Sequence, residues 1–237
     1  MSQAQPSADV LAECRNMALT VAPELTAAPL YPTNLPSGYP DCGDTLAFTV
    51  TRGIDFAIRR HLIDEGRWQG PGTIIAFCQP MSRDESLGLL LHEVAHAVPY
   101  KSPSADVEPT AETQSLQRQF VANRLLHPVG DLPTMPAWYS SHGLAFVRRC
   151  LHLHFRAWRS GVEIGLPMIS FAGSDYDLSP PWKYRRALGD EPQRMMLASF
   201  REIDATPAPA EFRSLFHSDI HDWFKHTEQE EPHVNAA

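Results

Sequence analysis

Two imidazoles and a carboxylate stand together in Leu87-Gly88-Leu89-Leu90-Leu91-His92-Glu93-Val94-Ala95-His96-Ala97-Val98. On a helix, residues four apart project from one face, one turn above the other, so His92 and His96 can close on a single cation. Zn²⁺ takes imidazole nitrogen at about 2.0–2.1 Å, and such a pair supplies two of its ligands. Glu93 lies about 100° further round the axis. From there it cannot easily join them as a ligand but can act as general base toward a water on the metal. The chemistry within reach of this trio is metal-assisted hydrolysis.

The stretch must be helical for this to hold, and the sequence supports a helix. Leu87, Leu90, Leu91, Val94, Ala95 and Val98 recur with helical period and form one apolar stripe. Ser82 with Glu85 three residues on makes a capping box, and Pro99 marks the exit. Both histidines are therefore expected on a helix buried on its other side.

The preceding segment, Gly72-Thr73-Ile74-Ile75-Ala76-Phe77-Cys78-Gln79, reads as a strand between Pro71 and Pro80. A strand at a sheet edge beside the metal could align an extended peptide by main-chain hydrogen bonds. Leu46 to Val50 reads as another strand, and Asp55 to Glu65 as a helix with Phe56, Ile58, Leu62 and Ile63 on its apolar side. A short helix is expected over 8–20. Pro23, Pro29, Pro32, Pro36 and Pro40 then predict a long irregular wrap. Helices are expected over 110–126 and 144–158, and shorter ones over 182–188, 192–203, 208–216 and 219–226. His217 and His221 form a further i, i+4 pair without an acid in the His-Glu arrangement; packing or surface roles are expected of them, with a second metal as the alternative.

A catalytic zinc site has three protein ligands and one open position. His142, in Trp138-Tyr139-Ser140-Ser141-His142-Gly143-Leu144-Ala145-Phe146, is the foremost candidate for the third, at the start of the helix over 144–158. Gly143 beside it permits close backbone approach. Glu112, on the helix over 110–126, is the alternative and would make a gluzincin-type site.

A strand, a helix carrying His-Glu-x-x-His and a helix opened by His-Gly-x-x-Phe together resemble the SprT-like family of zinc metallopeptidases, which includes the Spartan proteases. The resemblance covers roughly residues 72–155. It implies an α+β, zincin-like fold, mainly helical, with a small β-sheet whose edge strand precedes the His-Glu-x-x-His helix. It implies Zn²⁺ as cofactor, held by His92, His96 and His142, Glu93 as the catalytic base, and a protein or peptide as substrate. The 97–141 segment makes the two motifs lie further apart than in that family. The DNA-binding elements of its DNA-repair members, a four-cysteine ribbon or a basic block, are absent from the sequence.

The composition bounds the rest. Lys+Arg 20 against Asp+Glu 28 gives a net charge of −8, so no global basic field attracts nucleic acid or an anionic membrane. No apolar run is long enough to span a bilayer. Cys14, Cys42, Cys78 and Cys150 are scattered and form no C-x-x-C, the usage of reduced thiols in a cytoplasmic protein. The expected organisation is a Pro-rich extension over 1–45, a metallopeptidase domain over 46–160 and a helical part over 161–237 packed on it. The rival reading from another class is a non-catalytic zinc-containing binding or scaffold domain. Glu93 stands against it, since a purely structural site has no need of that acid.

Overall fold

The computed structural model of the chain describes residues 5–35, 46–50, 62–63, 65–70, 72–98, 143–164 and 179–229. In chain order these form helix α1 (Ala8–Val21), a 3-10 turn (Pro23–Ala27), strands β1 (Leu30–Asn34) and β2 (Ala47–Val50), and a second 3-10 turn (Glu65–Arg67). Strand β3 (Thr73–Phe77) and helix α2 (Arg83–Ala97) follow, then α3 (Leu144–Arg159), α4 (Pro181–Leu188), α5 (Glu191–Arg194), α6 (Phe200–Ala205) and α7 (Ala210–Gln229). The class is α+β, mainly helical, with a three-stranded sheet.

The sheet has the order β1-β3-β2, with β1 parallel and β2 antiparallel to β3. This corrects two expectations. The strand before the His-Glu-x-x-His helix is the middle strand, not an edge, because Leu30–Asn34 pairs along the side that an edge would leave open. The same pairing puts a strand where an irregular wrap was expected. Pro32 is tolerated there because β1 bonds β3 through its odd-numbered residues. The Leu35 N–H donates to Phe77 O at 2.9 Å and the Thr73 N–H to Pro29 O at 2.8 Å. By the alternation of a strand, Pro32 turns its missing donor outward, and Arg67 Nη2 meets its carbonyl at 3.4 Å.

Alternation also sorts the two faces of the sheet. Tyr31, Leu35, Ile74 and Ala76 pack with Leu62 and Ile63 on one side, joined by Phe48, Val50 and Trp68. The opposite side carries α1 and α2, which pack on each other and on the strands. Gly72 is required at the sheet's start, since a Cβ there would collide with the backbone carbonyl of Pro29.

The capping box is present at α2. Ser82 Oγ accepts from the Glu85 N–H at 3.3 Å, and the Ser82 N–H donates to Glu85 Oε2 at 2.7 Å. At the other end Val98 is extended, with φ −65° and ψ 142°, as a residue before proline is driven to be. The expected stripe is buried, but so are Leu89, His92 and Glu93. From 89 to 95 the helix is enclosed all round and not on one face only.

Two compact units divide the chain. The first comprises residues 1–100, 149–168 and 192–203, and holds the sheet with α1 and α2. The second comprises 101–148, 169–191 and 204–237. Within it Arg148 and Glu191 form a buried ion pair at 2.8 Å, and Arg148 Nη1 also donates to Thr206 O at 2.7 Å. There α4 packs on α7. The Tyr184 hydroxyl and the Ser179 N–H and hydroxyl all donate to Asp219. The helices expected over 208–216 and 219–226 are one helix. Asp219, which could have capped a second one, spends its carboxylate on Ser179 and Tyr184. The helix expected over 192–203 is instead broken into α5 and α6.

Leu62 and Ile63 are buried in bends and not in a helix, and residues 55–61 and 64 of the helix expected there lie outside the described residues. The helix expected over 110–126 lies outside them too. No helix among the described residues is long and apolar enough to cross a membrane.

Candidate metal centre

The site begins with the rigidity of α2. Its capped start, its burial and its continuity with the middle strand fix the backbone from which His92, Glu93 and His96 project. His92 is 4% exposed and Glu93 3%, while His96 is half-buried. The Nε2 atoms of His92 and His96 lie 3.0 Å apart, with the rings edge to face at 74°. Two nitrogens held by one tetrahedral zinc at about 2.05 Å stand about 3.3 Å apart. The pair is therefore convergent to within a few tenths of an ångström of that requirement, and the donor chemistry fits the metal.

Glu93 stands beside this pair. Its Oε1 lies 3.9 Å from His92 Nε2, near but outside bonding distance. Its Oε2 accepts a hydrogen bond from Thr49 Oγ1 at 2.7 Å. Burial pushes the Glu93 carboxyl up to about 7, partly offset by the Thr49 hydroxyl. A carboxyl titrating near neutrality suits a group that must take up and return a proton.

The far end of α2 has its own partner. Pro99 has no N–H, so the carbonyl of Ala95 lacks the donor that the next turn of a helix would supply. Arg149, 2% exposed on α3, donates to that carbonyl from Nη1 at 3.3 Å. A guanidinium at a helix C-terminus also complements the negative end of the helix dipole. Neither Thr49 nor Arg149 was found by reading the sequence, because both reach α2 across large sequence separations that no local spacing encodes.

The structure brings together His92, Glu93 and His96. The two candidates for a third ligand, His142 and Glu112, lie outside the described residues. Among the described residues no group of three histidine, cysteine, aspartate or glutamate side chains is gathered to hold a metal ion. The second histidine pair, His217 and His221, is of another kind. Burial and the nearby Arg213 charge both lower the pKa of His217, and that same charge disfavours a cation.

Comparison with protein-family models, curated proteins and solved structures finds no match to this chain.

Proposed function

We propose that the chain is a zinc-dependent metallopeptidase that hydrolyses peptide bonds. The observation that carries this reading is the 3.0 Å convergence of His92 Nε2 and His96 Nε2 beside the buried carboxylate of Glu93. His92 and His96 would hold Zn²⁺, with His142 as the third ligand by resemblance to the SprT-like family, or Glu112 in a gluzincin-type site. When bound, the metal supplies Lewis acidity at the scissile carbonyl and at the attacking water. Glu93 takes the proton from that water and passes it to the leaving amine, with Oε1 on the side of the histidines. The enclosed helix keeps base and ligands in fixed register. A protein or peptide is the proposed substrate, and the cytoplasm the proposed location, where scattered cysteines such as Cys14 and Cys150 would stay reduced.

The test is elemental analysis joined to hydrolysis of fluorescein-labelled casein. The wild type is expected to carry one zinc per chain and to cleave casein. His92→Ala and His96→Ala should lose the metal, as should one of His142→Ala and Glu112→Ala, which thereby names the third ligand. Glu93→Gln should keep zinc and lose activity by about 10²–10⁴-fold, the usual contribution of a general base. A wild type without zinc after refilling overturns the metal site. A zinc-loaded wild type that cleaves neither casein nor mixed peptides overturns the peptidase and favours a zinc-containing scaffold.

A further inference from the structure

We infer that Thr49 is a positioning residue for the base, acting through Glu93, and that it selects which carboxylate oxygen does the chemistry. This rests on the peptidase reading above and adds to it a residue from a different element.

The geometry is specific. Thr49 lies on β2 opposite Ile75 of β3. In the alternation of β2 it shares a side with Ala47, while Phe48 and Val50 pack into the cluster on the other side of the sheet. That places its hydroxyl toward α2, where it reaches one residue twice. Oγ1 is 2.7 Å from Glu93 Oε2 and 3.0 Å from the backbone oxygen of Glu93. A single hydroxyl proton near two acceptors of one residue ties both the helix backbone and the side-chain tip to the strand.

The consequence is an asymmetric carboxylate. Oε2 faces Thr49, and Oε1 is the oxygen near the histidines, 3.9 Å from His92 Nε2. A glutamate has three side-chain torsions, and without a partner at its tip it spreads over several rotamers. A hydrogen bond of 2.7 Å to one oxygen removes most of that freedom and presents the other in one direction. The strand achieves this because β2 is held in register by β3, so the hydroxyl itself is fixed. Partners of this kind, which touch a catalytic group and not the substrate, commonly contribute 10–100-fold to activity.

Two substitutions separate this role from a structural one. Thr49→Val keeps the β-branched shape and removes the hydroxyl, and Thr49→Ser keeps the hydroxyl and removes the methyl. Zinc content, the unfolding midpoint and hydrolysis of fluorescein-labelled casein are measured for each. The expected result is about a 10–100-fold fall in kcat for Thr49→Val with KM and zinc unchanged, and recovery to within about threefold of the wild type in Thr49→Ser. An active wild type with Thr49→Val equal to it in kcat overturns the inference and leaves the peptidase intact. Equal losses in both variants also overturn it, since strand packing would then be the cause. A zinc-loaded wild type that does not hydrolyse any substrate overturns the peptidase reading, and this inference with it.

Discussion

Arg149 Nη1 and the carbonyl oxygen of Ala95 lie 3.3 Å apart, and the contact closes the end of α2 that Pro99 leaves open. The guanidinium is buried and serves the last turn of the helix, the one that bears His96. Its removal leaves a buried carbonyl unsatisfied, and the cavity that remains adds to the cost.

Arg149→Met is therefore expected to destabilise the protein by about 2–4 kcal/mol. Urea unfolding followed by tryptophan fluorescence reads this as a lower midpoint with an unchanged slope. Arg149→Lys, which keeps the charge and a donor, should recover part of the loss. A midpoint unmoved in Arg149→Met would remove the contact from the list of things that hold the helix end.

A second expectation concerns the close approach of β1 and β3. Gly72→Ala places a methyl against the Pro29 carbonyl, and backbone cannot yield as a flexible side chain can. The Thr73 N–H to Pro29 O bond should lengthen or break, at a cost of about 3 kcal/mol. Thermal unfolding should show a fall of several degrees. An unchanged melting temperature would mean that β1 is not paired as described.

The thiols give a pH dependence. Burial, with the neighbouring Glu13 charge, pushes Cys14 from 9.0 up to about 12, and burial raises Cys150 as well. A group whose folded pKa is raised favours the folded state fully below its unfolded value. That contribution is lost as pH rises from about 9 through about 12. At pH 8 both thiols are protonated and enclosed, while Cys78 is partly accessible. Iodoacetamide with peptide mass mapping should label Cys78 in the native protein, and Cys14 and Cys150 only after urea is added. Labelling of Cys14 at the rate of Cys78 would contradict the packing of α1.

Where the chain's signals are local, the sequence reading reached the structure. Ser82 and Glu85 announce a helix start through a three-residue spacing, and Ile74 to Phe77 announce a buried strand through their side chains. The i, i+4 spacing of His92 and His96 was enough to foresee their convergence. Leu30–Asn34 was missed because Pro29 and Pro32 are breakers by composition, and only the pairing partner shows that the missing donor of the buried Pro32 points away from β3. The order of the strands was missed for the same reason, as nothing in residues 73–77 states how many neighbours they will have. Thr49 and Asp219 illustrate a third limit. Each is an ordinary residue whose importance lies in a partner more than 30 positions away.

The enclosure of α2 from residue 89 to 95 carries a consequence for how the protein moves. A helix that fills the middle of its unit, with sheet below and α1 alongside, has no local way to open. Its amides from 89 to 95 are expected to exchange with solvent only when the unit as a whole unfolds, while those of its exposed first turn can fray. His92 and Glu93 thus sit on the enclosed stretch of α2. Any adjustment to an arriving ligand has to be made by the segments that approach α2, because the helix itself behaves as an anvil and not as a hinge.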